Sequence, residues 1–279
     1  MEGNSSSGFD AGAYWQQRVG ADADVATVGH RAMGSAYNAE IYARRIEAFD
    51  EMLGRHVDKP LDQARVLDIG CGSGFYTGYW QARGVRDYTG LDISADTISR
   101  LSGEYPEYRF VLADIAEQLP DSLGDGQAFD IVTVFDVLYH IVDNDRAQAA
   151  IANTAALLDR NGKLFVMDFL CRHDYRVSKH VIYRARNSYL DDFSRNALVL
   201  ADSELLFQFL VPPIAGIRMV DFVFSGTFAL LGRIMQLNER LATWTATGLR
   251  RMDCQLRKNG VSLRNGELLV FETTEDAGG

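Results

Sequence analysis

Several things are scarce in this sequence, and each scarcity removes a class of protein. There are only three cysteines in 279 residues, Cys71, Cys171 and Cys254, far apart and in no metal-ligand spacing. That excludes a disulfide framework and suits reduced thiols in a cytoplasm. Basic residues are outnumbered, 28 Lys and Arg against 38 Asp and Glu, for a net charge of -10. A chain that grips a phosphate backbone needs clustered Lys and Arg, so no nucleic-acid partner is expected. The first residues, Met1 to Gly8, are rich in Ser, Gly and Asn and lack the basic and apolar regions of a secretory signal. Residues 1–10 read as disordered. Uninterrupted apolar runs are missing too: the most apolar stretch, Met219 to Met235, is broken by Asp221 and Arg233. The expectation is a soluble, cytoplasmic chain with no stable membrane insertion.

About half of the residues are apolar, which at this length supports one large core with additions. The chain is organised around Arg65-Val66-Leu67-Asp68-Ile69-Gly70-Cys71-Gly72-Ser73-Gly74-Phe75-Tyr76. It reads as strand, glycine turn, helix. Val66, Leu67 and Ile69 form the short apolar run of a strand buried on both faces, and the glycines permit a turn that presents bare backbone to a ligand. A helix starting near Phe75 points its free amide groups into the same turn.

The spacing separates ligand classes. Dinucleotide sites use G-x-G-x-x-G, but Phe75 stands where the third glycine belongs, and Gly74 comes one residue early. No Gly-Lys-Ser/Thr follows, so a P-loop does not fit either. Tyr88 to Ile93 reads as a second strand ending in Asp92, an acid able to accept both hydroxyls of a ribose. Arg109 to Ile115 is a third, with Asp114 at its end; Phe129 to Asp136 is a fourth and Gly162 to Phe169 a fifth. Helix signals lie between them, including Phe75 to Arg83, Ala95 to Glu104 with a Ser94 cap, and Asp143 to Asp159.

Asp68-x-Gly70-x-Gly72-x-Gly74 with this strand order resembles class I S-adenosylmethionine-dependent methyltransferases, from about Arg65 to Leu170. The resemblance implies an α/β, Rossmann-like seven-stranded methyltransferase sheet with its last strand antiparallel. It also implies S-adenosyl-L-methionine as cofactor, held by Asp68, Gly70, Gly72, Gly74, Asp92, Ile93, Asp114 and Ile115. An N-terminal Tyr14-Trp15-x-x-Arg18 is similar to the lid of many relatives, with Tyr14 near the methionine end and Arg18 forked onto its carboxylate. Trp15 packed on the core from a surface helix is the structural alternative.

Phe135-Asp136-Val137-Leu138-Tyr139-His140-Ile141 resembles the Asp-Val-Leu-x-His-Ile run of small-molecule methyltransferases. It implies that Phe135 and Asp136 pass the methyl group while Tyr139 and His140 face the acceptor. His140 suits a general base, since imidazole titrates near neutrality, and holding the loop is its structural alternative. His173, in the polar stretch Leu170 to Arg176, is a second candidate, with Lys179, His180, Tyr183, Arg184 and Arg186 behind it to meet an acidic or hydroxylated acceptor. Asp136 and Asp168 stand where metal-dependent relatives carry acids, but no Asp-Asn pair follows strand five, and no metal is expected.

Thr27 to Leu53 reads as an amphipathic cap helix, with Arg44, Arg45 and Glu47 on its polar side. Its glycine-rich start suggests a substrate-facing loop, making His30, Tyr37 and Asn38 candidates to hold the acceptor. Leu190 to Asp202 reads as a helix, Glu204 to Val211 as the sixth strand and Leu268 to Glu272 as the seventh. Ile214 to Gly260 becomes an insertion of two helices split near Gly232 or Asn238, whose apolar face could roof the site, form a homodimer or lie on a membrane surface, the roof being favoured. The divisions are a cap over 11–60, a cofactor-binding core over 61–212, the insertion over 213–262 and the last strand and tail over 263–279.

The expected activity is methyl transfer by in-line displacement to O, N or S of a small metabolite, a sugar or natural-product intermediate favoured. The alternatives are a protein side-chain methyltransferase and a cofactor-binding protein without transfer. Asn/Asp-Pro-Pro-Tyr, the mark of the nucleic-acid amino-methylating branch, is replaced here by Asp136-Val137-Leu138-Tyr139.

Overall fold

Val66 and Leu67 are adjacent in the chain, yet they pack into different hydrophobic clusters. This is the period-two signature of a strand covered on both faces. Phe165 and Val166, Leu268 and Leu269, and Val270 and Phe271 divide in the same way. The computed structural model describes residues 33–120, 123, 128–208, 210–211, 218–260 and 266–274.

Within them the chain forms α1 (Gly34–His56), β1 (Arg65–Ile69), α2 (Phe75–Ala82), β2 (Asp87–Asp92), α3 (Ala95–Glu104) and β3 (Arg109–Leu112). It continues with β4 (Phe129–Phe135), α4 (Asn144–Leu157), β5 (Leu158–Phe169), β6 (Tyr175–Ser178), β7 (Val181–Tyr183) and α5 (Arg186–Ser194). Last come β8 (Leu198–Leu205), α6 (Arg218–Met235), α7 (Glu239–Lys258) and β9 (Gly266–Thr273). Seven strands form one sheet in the order β3-β2-β1-β4-β5-β9-β8. The first five pair in parallel, and β9 runs antiparallel between β5 and β8. This is the Rossmann-like methyltransferase sheet that the resemblance implies.

Helix α1 packs on one face, where Phe49 is the hub of an aromatic cluster with Tyr76, Tyr79, Trp80, Phe135 and Phe165. Helices α4 and α5 cover the other face through Ile151, Tyr189 and Phe193. Ser94 caps α3 and Asp143 caps α4, each accepting an amide hydrogen bond three residues on. Asn238 does the same for α7 and so parts the two inserted helices.

Three expectations are corrected. The sixth strand is Leu198–Leu205, preceded by a helix that ends at Ser194, so Leu206 to Gln208, Leu210 and Val211 lie outside the sheet. Leu206, Phe207, Gln208, Leu210 and Val211 are nonetheless buried, and Asp253 of α7 accepts the amide hydrogens of Gln208 at 2.6 Å and Leu210 at 2.9 Å. Tyr37 and Asn38 are not in a loop: both lie inside α1, with the Tyr37 hydroxyl donating to the Leu210 carbonyl and Asn38 donating to Gly34. Arg44 and Arg45 are not on a solvent face either. Both are buried, Arg44 against Glu204 and the Leu206 carbonyl, Arg45 against Asp136.

Helix α7 docks on α1, where Thr247 and Arg250 reach Glu40 and Arg250 also reaches Glu47. Among the described residues, no helix is long and apolar enough to cross a membrane. Tyr14, Arg18, His30 and residues 1–10 lie outside the described residues.

Candidate active site

The carboxyl ends of β1, β2 and β4 meet at the glycine turn. Gly70, Gly72 and Gly74 all have left-handed backbone, with φ of 80°, 46° and 82°, a region that L side chains resist. Their surroundings differ. A Cβ on Gly70 would fall 2.3 Å from Val137 Cγ2, and one on Gly74 would fall 2.5 Å from Leu101 Cδ2. A Cβ on Gly72 would meet only the Gly70 carbonyl, at 3.6 Å. Packing within the protein thus accounts for the outer two glycines, while no side chain among the described residues stands where a Cβ on the middle one would lie.

The turn is tied to β2 by amide hydrogen bonds from Gly70 and Cys71 to the Leu91 carbonyl. Asp92 completes the link, accepting from the Gly72 amide at 2.9 Å through one oxygen and from the Ser94 amide at 2.9 Å through the other. Burial pushes its carboxyl up, while these amide bonds and Arg100 oppose the rise. Asp68, grouped with the cofactor contacts in the sequence, is enclosed beneath the turn. It accepts from Tyr88 at 3.0 Å and Thr133 at 2.7 Å, and burial pushes its carboxyl up to about 6 against those two bonds. Its side chain braces β1 to β2 and β4.

Farther along the edge, Asp114 accepts from the Ala116 amide at 2.9 Å and pairs with Arg146 of α4 at 2.7 Å. Ile93 is half-buried and Ile115 buried.

Strand β4 ends at Phe135, which meets Tyr76 edge-on with ring centres 4.7 Å apart. Asp136 follows with φ of 59°, uncommon for any residue but glycine. Arg45 holds it with both terminal nitrogens, the second at 3.0 Å. Leu138–His140 form a single 3-10 turn. Arg184, buried beneath it, donates to the carbonyls of Leu138 at 3.0 Å and Ile141 at 2.6 Å. The Tyr139 ring packs against Phe169 and Tyr183. Burial, reinforced by Asp136, drives its hydroxyl well above the ordinary tyrosine range. His140 Nδ1 lies 3.0 Å from the His180 carbonyl. A carbonyl only accepts, so Nδ1 carries the hydrogen and Nε2 is the basic nitrogen of the neutral ring.

Phe135, Asp136, Tyr139 and His140 are therefore brought together. His173 is not: it is exposed in the stretch before β6, and His180 is the histidine that meets His140. The polar segment behind it is a hairpin, β6 paired with β7, not a loop. Arg184 and Arg186, expected to meet an acceptor, are engaged with the protein itself, the latter with Glu267 at 2.9 Å. Asp136 is paired with Arg45, while Asp168 accepts from Tyr189 at 2.8 Å and from the Phe169 amide at 2.6 Å. Burial lifts Asp168 to about 7, and Asp136 adds to the rise. Among the described residues, no group of three His, Cys, Asp or Glu could hold a metal ion.

Arg45 is the site residue that sequence reading misplaced, and a signal was present. It stands four residues after Ile41, three after Tyr42 and four before Phe49, squarely on the buried stripe of α1.

Residues 66–162 match a family model described as a methyltransferase domain. A ubiquinone biosynthesis O-methyltransferase of Coxiella burnetii (strain RSA 493 / Nine Mile phase I) is 32% identical over 100 residues, 36% of this chain and 41% of that protein. One from Chelativorans sp. (strain BNC1) is 36% identical over 114 residues, 39% of this chain and 41% of that protein. The chain thus spans about two fifths of the length of the curated relatives it matches. Among solved structures, magnesium protoporphyrin IX methyltransferase from Synechocystis PCC 6803 with bound SAM gives a TM-score of 0.53 at 20% identity, covering 72% of this chain and 92% of that one. Coclaurine N-methyltransferase bound to N-methylheliamine and SAH gives 0.53 at 15% identity, covering 82% and 70%. The structural likenesses establish a shared fold.

Proposed function

We propose that this chain, whose residues 66–162 match a methyltransferase domain, is a class I S-adenosylmethionine-dependent enzyme that moves a methyl group onto an oxygen, nitrogen or sulfur of a small metabolite. A sugar or natural-product intermediate is the favoured acceptor. One observation carries the reading: Asp92 is turned into the bend at Gly72, where among the described residues a Cβ on Gly72 would meet only the Gly70 carbonyl. A carboxylate there suits the paired hydroxyls of a ribose and would repel a pyrophosphate.

S-adenosyl-L-methionine supplies, when bound, a methyl group activated on a cationic sulfur. Gly70, Gly72, Gly74 and Asp92 would hold it, with Ile93, Asp114 and Ile115 at the adenine end and Phe135 and Asp136 toward the methyl. Asp68 would act from below, fixing the turn. The remaining work of the protein is alignment of the acceptor, a proximity effect. Tyr139 stays protonated and can donate a hydrogen bond. His140, with Nδ1 given to the His180 carbonyl, would take the proton of a hydroxyl acceptor at Nε2. An amine already free of its proton, or a thioether, would need no such base.

Calorimetric titration with S-adenosylmethionine and S-adenosylhomocysteine, followed by mass spectrometry of a panel of hydroxylated metabolites, tests the reading. Measurable heat with both compounds and a product heavier by one methyl group are expected. An absence of heat with either would overturn it.

A further inference from the structure

Helices α6 and α7 present an outward apolar stripe that nothing in the methyl-transfer reading uses. Met219, Phe222, Val223 and Leu230 recur at helical spacing along α6, Leu237 stands at the turn, and Trp244 follows on α7. Phe222 is 78% exposed, Leu237 72% and Trp244 82%. The opposite sides of the pair are anchored: Phe228 and Met235 enter the main core, and Ala242, Ala246 and Leu249 are buried along α7, which docks on α1. The stripe therefore faces away from the body.

The charge of this segment is opposite to that of the chain. Residues 218–260 hold seven basic and three acidic side chains, while the whole chain has a net charge of -10. Arg250 and Arg257 are paired with acids of the body. Arg233, Arg240, Arg251 and Lys258 are exposed, with no ion pair among the described residues. Arg233 and Arg240 flank Leu237 at the turn, so cations border the apolar stripe.

We propose that the α6–α7 hairpin docks this protein on the surface of an anionic lipid bilayer, its apolar stripe lying in the interface and its arginines on the headgroups. Amphipathic helices that carry Trp, Phe and Leu beside Lys and Arg bind such surfaces by apolar burial together with attraction to anionic lipid. Tryptophan favours the headgroup level. A second copy of the chain fits less well. The core of a dimer interface is depleted of charge, and a twofold axis through this face would bring Arg233 and Arg240 near their own copies.

The test is co-sedimentation of the full chain with vesicles of phosphatidylcholine alone and of phosphatidylcholine mixed with phosphatidylglycerol. Two variants accompany it, F222S/W244S and R233E/R240E, each checked by circular dichroism and by analytical ultracentrifugation. The wild type should pellet with the anionic vesicles, release with added salt, and show a blue shift of tryptophan emission that W244F lacks. Both double variants should bind the anionic vesicles about tenfold more weakly or worse. Equal pelleting with both vesicle types, no pelleting at all, or unchanged binding by either double variant would overturn the proposal. So would a wild-type dimer in solution that the F222S/W244S variant converts to a monomer.

Discussion

Arg45 and Asp136 lie 91 positions apart and meet in a two-point ion pair at the carboxyl end of β4. Helix α1 thereby reaches the residue that follows Phe135, and the pair ties α1 to the carboxyl end of β4. The guanidinium also lies over the Tyr42 ring, 5.4 Å from its centre, an arrangement that favours the charged form.

Removing the cation should therefore be felt twice. Breaking a buried pair costs about 3–5 kcal/mol. Asp136 is about a quarter exposed, so R45M should destabilise the protein by roughly 2–3 kcal/mol. It should also reduce turnover more than R44M does. Urea denaturation and single-turnover kinetics of the two variants check both statements; equal turnover loss would place Arg45 outside the site.

The glycine turn allows a contrast between two neighbours. In G70A the new methyl group meets Val137 at 2.3 Å, so the variant should lose stability by about 2 kcal/mol or more, combining overpacking with left-handed strain. In G72A only the strain term operates, about 1–2 kcal/mol. Its main effect should be weaker binding of S-adenosylmethionine, because the methyl group occupies the side of the bend that no side chain among the described residues fills. Thermal melts and calorimetry separate the two, and the contrast fails if G72A binds the compound like the wild type.

Two buried acids give a signed pH dependence. Asp68 and Asp168 are raised to about 6 and about 7, above their unfolded values near 4. In that window the folded state binds more protons than the unfolded state, so stability falls as pH rises and levels off once both are ionised. Asp68 accounts for on the order of 3 kcal/mol of this decline. D68N should flatten the slope between about pH 4 and pH 6, and D168N the slope between about pH 4 and pH 7. Denaturation midpoints across that range decide it; parallel curves for wild type and variants would refute the assignment.

For a hydroxyl acceptor, H140N should lower kcat by roughly 10²–10⁴-fold with little change in KM. Y139F should cost less, since the protonated phenol offers only a hydrogen bond. A loop-holding role for His140 would instead change KM and leave kcat near that of the wild type.

The central strands were legible because both of their faces are buried, so apolar residues run on without interruption. At the sheet edge the code weakens. Residues 198–205 alternate between covered and exposed positions, and Asp202, Ser203 and Glu204 give them the look of a helix end. Leu206 to Gln208, Leu210 and Val211 have the composition of a strand, but the Gln208 and Leu210 amides find their partner in the Asp253 side chain. No local rule reports a partner so distant in sequence. Arg45 was misread for a related reason. A charged residue on an apolar stripe looks like an exception until Asp136 is found opposite it. The hairpin at 175–183 is short and its first strand is largely exposed, which left only the composition of a solvated loop.

The position of β9 constrains how the molecule is made. Strands β5 and β8 do not pair with each other, and each pairs instead with residues 266–273. During synthesis both edges stay open until that segment has left the ribosome. The nascent protein must carry two unsatisfied strand borders while α6 and α7 are being added, and a chaperone would find its target there.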